Sequence, residues 1–166
     1  MDFTHGNRMN RCRISKYSPE YRQNGIYTKE EWTNICDVGK SFEGIELTMC
    51  EYERVEYNYL RFVHALCQAC GIQKLAVAGL EEYGDDIAWS DGMILDMGQT
   101  GRICRDILRE KCWCRLEAEG MRIRFGYEYY LHVECALSAE EASVIASEYE
   151  LYAEPWYEEM PDDEEE

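Results

Sequence analysis

The segment Trp113–Cys135, WCRLEAEGMRIRFGYEYYLHVEC, decides the fold. From Met121 the odd positions read Met121, Ile123, Phe125, Tyr127, Tyr129, Leu131, Val133 and Cys135. The even positions carry Arg122, Arg124, Gly126, Glu128, Tyr130, His132 and Glu134. Successive side chains of an extended strand point to opposite faces, so this alternation predicts one long, half-buried antiparallel strand, bent near Gly126. Upstream, Cys114, Leu116 and Ala118 alternate with Trp113, Arg115 and Glu117. A two-residue turn at Glu119-Gly120 then sets Ala118 against Met121, Leu116 against Ile123 and Cys114 against Phe125, all toward the core. On the opposite face Glu117 meets Arg122, a cross-strand pair of opposite charge.

Working outward, three capping-box spacings mark helix starts. Thr28–Glu31 predicts a short helix through Trp32. Thr48–Glu51 opens the clearest helix, with Tyr52, Val55, Tyr59, Phe62, Val63, Leu66 and Cys70 at helical spacing and Gly71 suited to its C-cap. Ser138–Glu141 opens another, to about Glu148. A further helix is expected from Arg102 to about Cys112, with Ile103, Ile107 and Leu108 on one side. Arg11–Ser15 and Lys74–Leu80 read as strands, and Glu81–Gly92 as an acidic loop holding Tyr83 and Trp89. The expected class is α+β, a mainly antiparallel sheet with a long hairpin in its C-terminal half and helices packed on one face. Residues 1–155 are expected to form a single domain, and 156–166 an acidic, flexible tail.

The chain has 166 residues and a formal net charge of −17. Residues 1–27 carry Arg8, Arg11, Arg13, Lys16 and Arg22 against Asp2 and Glu20, a local +3, which leaves −20 for the remainder. From Glu134 onward there are thirteen acids and no base. A field of this sign repels nucleic acid and anionic membranes and speeds encounter with basic partners. No run of eighteen or so apolar residues suggests a membrane span. The start, MDFTHGNRMNRCR, has no apolar secretory core, so a cytoplasmic location is expected. In that compartment the nine cysteines are read as reduced, and mostly as small core hydrophobes.

Motifs for chemistry are sparse. Cys67-x-x-Cys70 with Cys112-x-Cys114 has the wrong spacing for a zinc ribbon, and a redox CxxC belongs at a helix start rather than at a helix end. His132 with Glu134 offers an acid–base pair, but two surface residues of a strand account for it as well. Gly98–Arg102 lacks the P-loop pattern, and Asp85, Asp86 and Asp91 do not follow the EF-hand ladder. No cofactor, no metal and no catalytic residue is expected.

Two stretches, RISKYSPEYRQNGIYTKEEWTNICDVGKSF (residues 13–42) and LREKCWCRLEAEGMRIRFGYEYYLHVEC (residues 108–135), resemble small cytoplasmic bacterial immunity proteins of polymorphic or contact-dependent toxin systems. The resemblance spans residues 13–135 and leaves out the acidic C-terminal part. It implies a cognate inhibitor, a monomer when alone, that occludes a basic toxin such as a nuclease. The expected partner is therefore a basic protein, with no direct nucleic-acid binding. Two other classes stand beside this reading: a nucleic-acid mimic that blocks a DNA- or RNA-binding protein, of the anti-restriction or anti-CRISPR kind, and an enzyme or small-ligand domain whose site no motif reveals.

Tyrosine and tryptophan anchor interfaces because they bury much area and keep a polar handle. The acid–aromatic run Glu148, Glu150, Tyr152, Glu154, Trp156, Tyr157, Glu158 and Glu159 is therefore the expected partner-binding segment. Glu128, Tyr130, His132 and Glu134, on the outward strand face, extend it. The acidic loop Glu81–Asp91 is the next candidate.

Overall fold

The computed structural model describes residues 9–156. Along the chain run β1 (Asn10–Ser15), β2 (Arg22–Gln23), β3 (Ile26–Tyr27), β4 (Ser41–Phe42), β5 (Ile45–Glu46), α1 (Met49–Ala69), β6 (Leu75–Glu82) and β7 (Ile94–Leu95). There follow α2 (Met97–Leu108), β8 (Cys112–Ala118), β9 (Met121–Phe125), β10 (Leu131–Cys135), α3 (Ala139–Ser147) and β11 (Tyr152–Pro155). Seven strands form one antiparallel sheet in the order β11-β1-β10-β9-β8-β6-β7, and β2-β3 and β4-β5 are separate small hairpins. The fold is α+β.

The β8–β9 hairpin has the expected register, with Ala118 opposite Met121, Leu116 opposite Ile123 and Glu117 opposite Arg122. Gly120 closes its turn at φ +85°, a left-handed conformation that costs glycine little. The single long strand expected over residues 121–135 is instead two. The chain breaks after Phe125 and returns as β10, with Leu131 opposite Phe125 and Cys135 opposite Met121. The connection holds five residues, an odd number, so odd positions stay on the core side of both strands. Alternation alone therefore could not distinguish a bent strand from this hairpin.

One face of the sheet, including Ile14, Val77, Leu116, Ile123 and Val133, shares a core with the apolar stripes of the three helices. Tyr52, Tyr59, Phe62, Leu66 and Cys67 come from α1, Ile103 and Ile107 from α2, and Ala142 and Ala146 from α3. Helix α1 is N-capped by Thr48, whose Oγ1 accepts from the Glu51 N–H at 3.1 Å. At its other end Ile72 N–H donates to the Cys67 carbonyl and Gly71 N–H to that of Gln68, a complete Schellman motif with Gly71 at φ +69°. Ser138 and Glu141 form the full capping box of α3.

Two helix expectations need correction. Helix α2 starts at Met97, five residues before Arg102, because Asp96 and Gln99 form a reciprocal capping box. It ends at Leu108, and Cys112 opens β8. The glycines at 98 and 101, poor helix formers, obscured that start. No helix forms at Thr28, whose hydroxyl and N–H both donate to the Tyr21 carbonyl. Its would-be box partner Glu31 is taken by the Tyr27 hydroxyl at 2.7 Å and by Lys16 at 3.2 Å. The local turn is a 3-10 helix at Ile35–Asp37, capped by Asn34.

Candidate functional site

The turn between β9 and β10 puts two consecutive non-glycine residues in the left-handed region, Glu128 at φ 58° and Tyr129 at φ 67°. Each such residue costs on the order of 1–2 kcal/mol, so the surroundings must hold it. Three buried tyrosines do so. Tyr17 donates to the Glu128 carbonyl and Tyr59 to the Tyr129 carbonyl, both at 2.7 Å. The Tyr129 hydroxyl lies between that of Tyr52 and the Leu108 carbonyl, and its ring packs edge-on against Trp32 at 5.4 Å. Burial pushes the phenols of Tyr17, Tyr52, Tyr59 and Tyr129 well above their ordinary pKa, which keeps them protonated as donors. Tyr52 extends the network by donating to Glu56, a carboxylate only 2% exposed that also receives Arg105 and Arg109 at 3.2 and 2.9 Å.

This clamped turn displays Tyr127, 93% exposed, and Glu128 beside it. They edge an open cleft of about 620 Å³ whose other walls include Tyr83, Glu110, Trp113 and Phe125. Trp113 is fixed there by its indole N–H, which donates to the Phe125 carbonyl at 2.8 Å. Tyr83 is 59% exposed and donates to Glu81 at 2.6 Å. Glu110 also adopts a left-handed backbone, at φ 62°. Neither Glu110 nor Glu128 has an ion-pair partner among the described residues. Unpaired carboxylates next to aromatic faces are a setting for an ammonium or guanidinium group.

The residues expected from sequence divide between places. Glu128 joins the cleft. Tyr130, His132 and Glu134 lie on the outward sheet face, but they are engaged there by arginines. Glu134 is buried and meets Arg11 at 3.0 Å and Arg122 at 3.8 Å. The Tyr130 hydroxyl accepts from Arg22 at 3.0 Å. His132 sits among Arg13, Arg124 and Trp156, and burial followed by the two guanidinium charges lowers its pKa to about 4. Glu154 pairs with Arg13 at 3.5 Å and Arg22 at 3.2 Å. Trp156 folds back onto the same face, its N–H donating to the Arg11 carbonyl and its ring lying beneath Arg13 at 4.5 Å. Glu150 pairs with Arg54 at 2.6 Å, whereas Glu148 and Tyr152 are exposed. Tyr157, Glu158 and Glu159, with the rest of the expected tail, lie outside the described residues.

Tyr127 was missed, because strand parity assigned it to the core with the other odd positions. The signal lay in Gly126 followed by Tyr127-Glu128-Tyr129-Tyr130, a glycine and a dense aromatic run where a strand should continue. A close approach favours glycine at 126: a Cβ there would come within 3.2 Å of the His132 ring, which would have to shift by a few tenths of an ångström. Trp89, expected in an exposed acidic loop, is buried and donates to Asp106 at 2.8 Å.

Six cysteines are buried and Cys36 and Cys50 are exposed, all as free thiols. Burial raises the Cys67 and Cys114 thiols to about 12. Among the described residues no three His, Cys, Asp or Glu side chains converge as metal ligands, and no helix is long and apolar enough to cross a membrane. No family model, no curated protein and no solved structure matches the chain.

Proposed function

We propose that this chain is an acidic inhibitor of the toxin-immunity type, acting in the cytoplasm, that holds a basic partner protein through the Tyr127–Glu128 cleft. The observation that carries the reading is a nearly fully exposed tyrosine on a strained turn that three buried tyrosines clamp, at a cleft lined by Glu110 and Glu128, which have no ion pair among the described residues. Strain of this kind persists where the surroundings enforce it, and it clusters at binding sites. A lysine or arginine of the partner would enter between Glu110 and Glu128, with Tyr127, Tyr83 and Trp113 covering its stem. The net charge of −17 would speed encounter, and the aromatic contacts would set the dissociation rate.

The test is capture of the partner from the source cell, followed by binding kinetics with purified components. Tyr127→Ala should speed dissociation roughly 30-fold, the equivalent of about 2 kcal/mol at a central anchor. Glu110→Gln with Glu128→Gln should slow association and flatten its salt dependence. A captured partner that is acidic, or binding that ignores all three changes, would overturn the reading.

A further inference from the structure

Between α1 and α2 lies an open groove of about 510 Å³ that shares no lining residue with the Tyr127 cleft. Tyr57, Arg61 and His64 follow one another along one face of α1, at i, i+4 and i+7. Gly98 and Gly101 form the α2 side. Glycine is a poor helix former, and no neighbour demands it at 101, where a Cβ would meet no atom within 4 Å. Space that a side chain could fill is left open. A recess of about 270 Å³, bordered by Gln68 and Ile72, shares His64 and Met97 with the groove and prolongs it toward the C-terminal end of α1.

The lining of groove and recess contains no aspartate or glutamate, in a chain that has 34 of them. Asp96, next to Met97 in sequence, is engaged by the Gln99 N–H in the cap of α2. The cation of the groove is Arg61, whose guanidinium lies over the rings of Tyr57 at 5.0 Å and Tyr149 at 5.3 Å. Stacking of this kind positions the guanidinium without consuming its N–H donors. The other arginine of α1, Arg54, pairs with Glu51 and Glu150. Arg61 has no ion pair and no side-chain hydrogen bond among the described residues. Leu60, Val63 and Met97 make much of the remaining wall apolar.

A positioned guanidinium at an apolar groove free of carboxylates suits a ligand with one anionic head and an apolar tail. The planar fork of arginine matches a carboxylate through two parallel N–H donors. From Arg61 to the helix end at Ala69, α1 offers roughly 12 Å for the tail. An anionic bilayer is a poor source of such a ligand, because the net charge of −17 repels it. A single free carboxylate feels mainly the charges within a Debye length, about 8 Å at physiological ionic strength.

We propose that the α1–α2 groove binds a free medium-chain alkyl carboxylate, its head on Arg61 and its tail running past Met97 toward Ile72. The inference is independent of the partner-binding reading of the cleft.

The test is titration of the full chain with decanoate, kept below its micelle-forming concentration and followed by NMR at the amides of Gly98 and Gly101. Both amides should shift saturably. Octanoate should bind about tenfold more weakly, since it removes two fewer methylenes from water. Arg61→Gln should weaken decanoate about tenfold or more, as expected for charge-assisted hydrogen bonds, and leave the binding of 1-decanol unchanged. Gly101→Leu, checked for folding by its urea midpoint, fills the groove and should abolish the binding of both. Unshifted glycine amides, decanoate binding that ignores Arg61→Gln, or full binding by a folded Gly101→Leu chain would each overturn the proposal. So would decanol binding as tightly as decanoate, which would mean an apolar surface without a site for the head.

Discussion

The Tyr127 cleft and the cross-strand row of Arg13, His132, Arg124 and Arg115 both involve Trp113, and they have opposite character. Trp113 lines the cleft together with Glu110 and Glu128, carboxylates on left-handed backbone that have no ion pair among the described residues. On the sheet side Arg124 stacks on it, within a row of like charge. A net charge of −17 thus resolves locally into an acidic rim around exposed aromatics and a basic strip across a sheet. The sum of charges says how strongly the chain attracts basic molecules, but not which surface receives them. That follows from which acids are already paired: among the described residues Glu117, Glu134 and Glu154 on the sheet are, and Glu110 and Glu128 at the cleft are not.

The sharpest way to break this contrast is to compare two tyrosines of the same turn. Tyr129→Ala removes a buried ring and its hydrogen bonds and should cost about 3–5 kcal/mol in urea unfolding. Tyr127→Ala should stay within about 0.5 kcal/mol, as exposed positions do. Comparable losses would mean that the turn is not held as described.

His132, in the row with Arg13 and Arg124, predicts a pH effect. His132 has a pKa lowered from 6.5 to about 4, so between these values the unfolded chain binds the proton that the folded chain refuses. Stability is fully present above pH 6.5 and is lost as pH falls toward 4. With the partial exposure of the ring allowed for, the loss should be about 1–2 kcal/mol. His132→Gln should flatten urea midpoints across that window, and a slope left unchanged would remove His132 from the account.

Strain gives the next test. Glu128→Gly should relieve the left-handed backbone and stabilise the fold by up to about 1 kcal/mol, or about 2–4 °C in Tm, while weakening partner binding. A destabilised variant would show that the Glu128 side chain supports the turn. The smallest change is expected outside both regions. Glu150→Gln breaks the exposed pair with Arg54 and should alter stability by less than about 0.5 kcal/mol in the same assay.

Local signals carried most of the fold. The Glu119-Gly120 turn fixed its register because a two-residue connection leaves one pairing that keeps both apolar sets inside. The boxes at Thr48 and Ser138 marked their helices because hydroxyl and backbone meet within four residues. Long-range competition was not legible. Glu31 is drawn away from Thr28 by Lys16 and Tyr27, and nothing near Thr28 announces it. The candidate site suffered in the same way. Period two describes both faces of a strand equally well, so Tyr130, His132 and Glu134 read as exposed, yet arginines from β1, β2 and β9 engage them. Trp156 belongs to the sheet face because β11 pairs with β1, a contact between distant parts of the chain.

That last pairing also governs how the molecule comes together in time. Strand β1 lies between β10 and β11, so neither of its neighbours is close to it in sequence. The meander β8-β9-β10 closes through short turns, but β1 has no local partner, and its seat exists only once residues 131–155 are present. Closing so large a loop is entropically slow. Assembly of this sheet should therefore start from its middle, with β1 docking late, and the basic N-terminal region meeting its acidic complement in the final step.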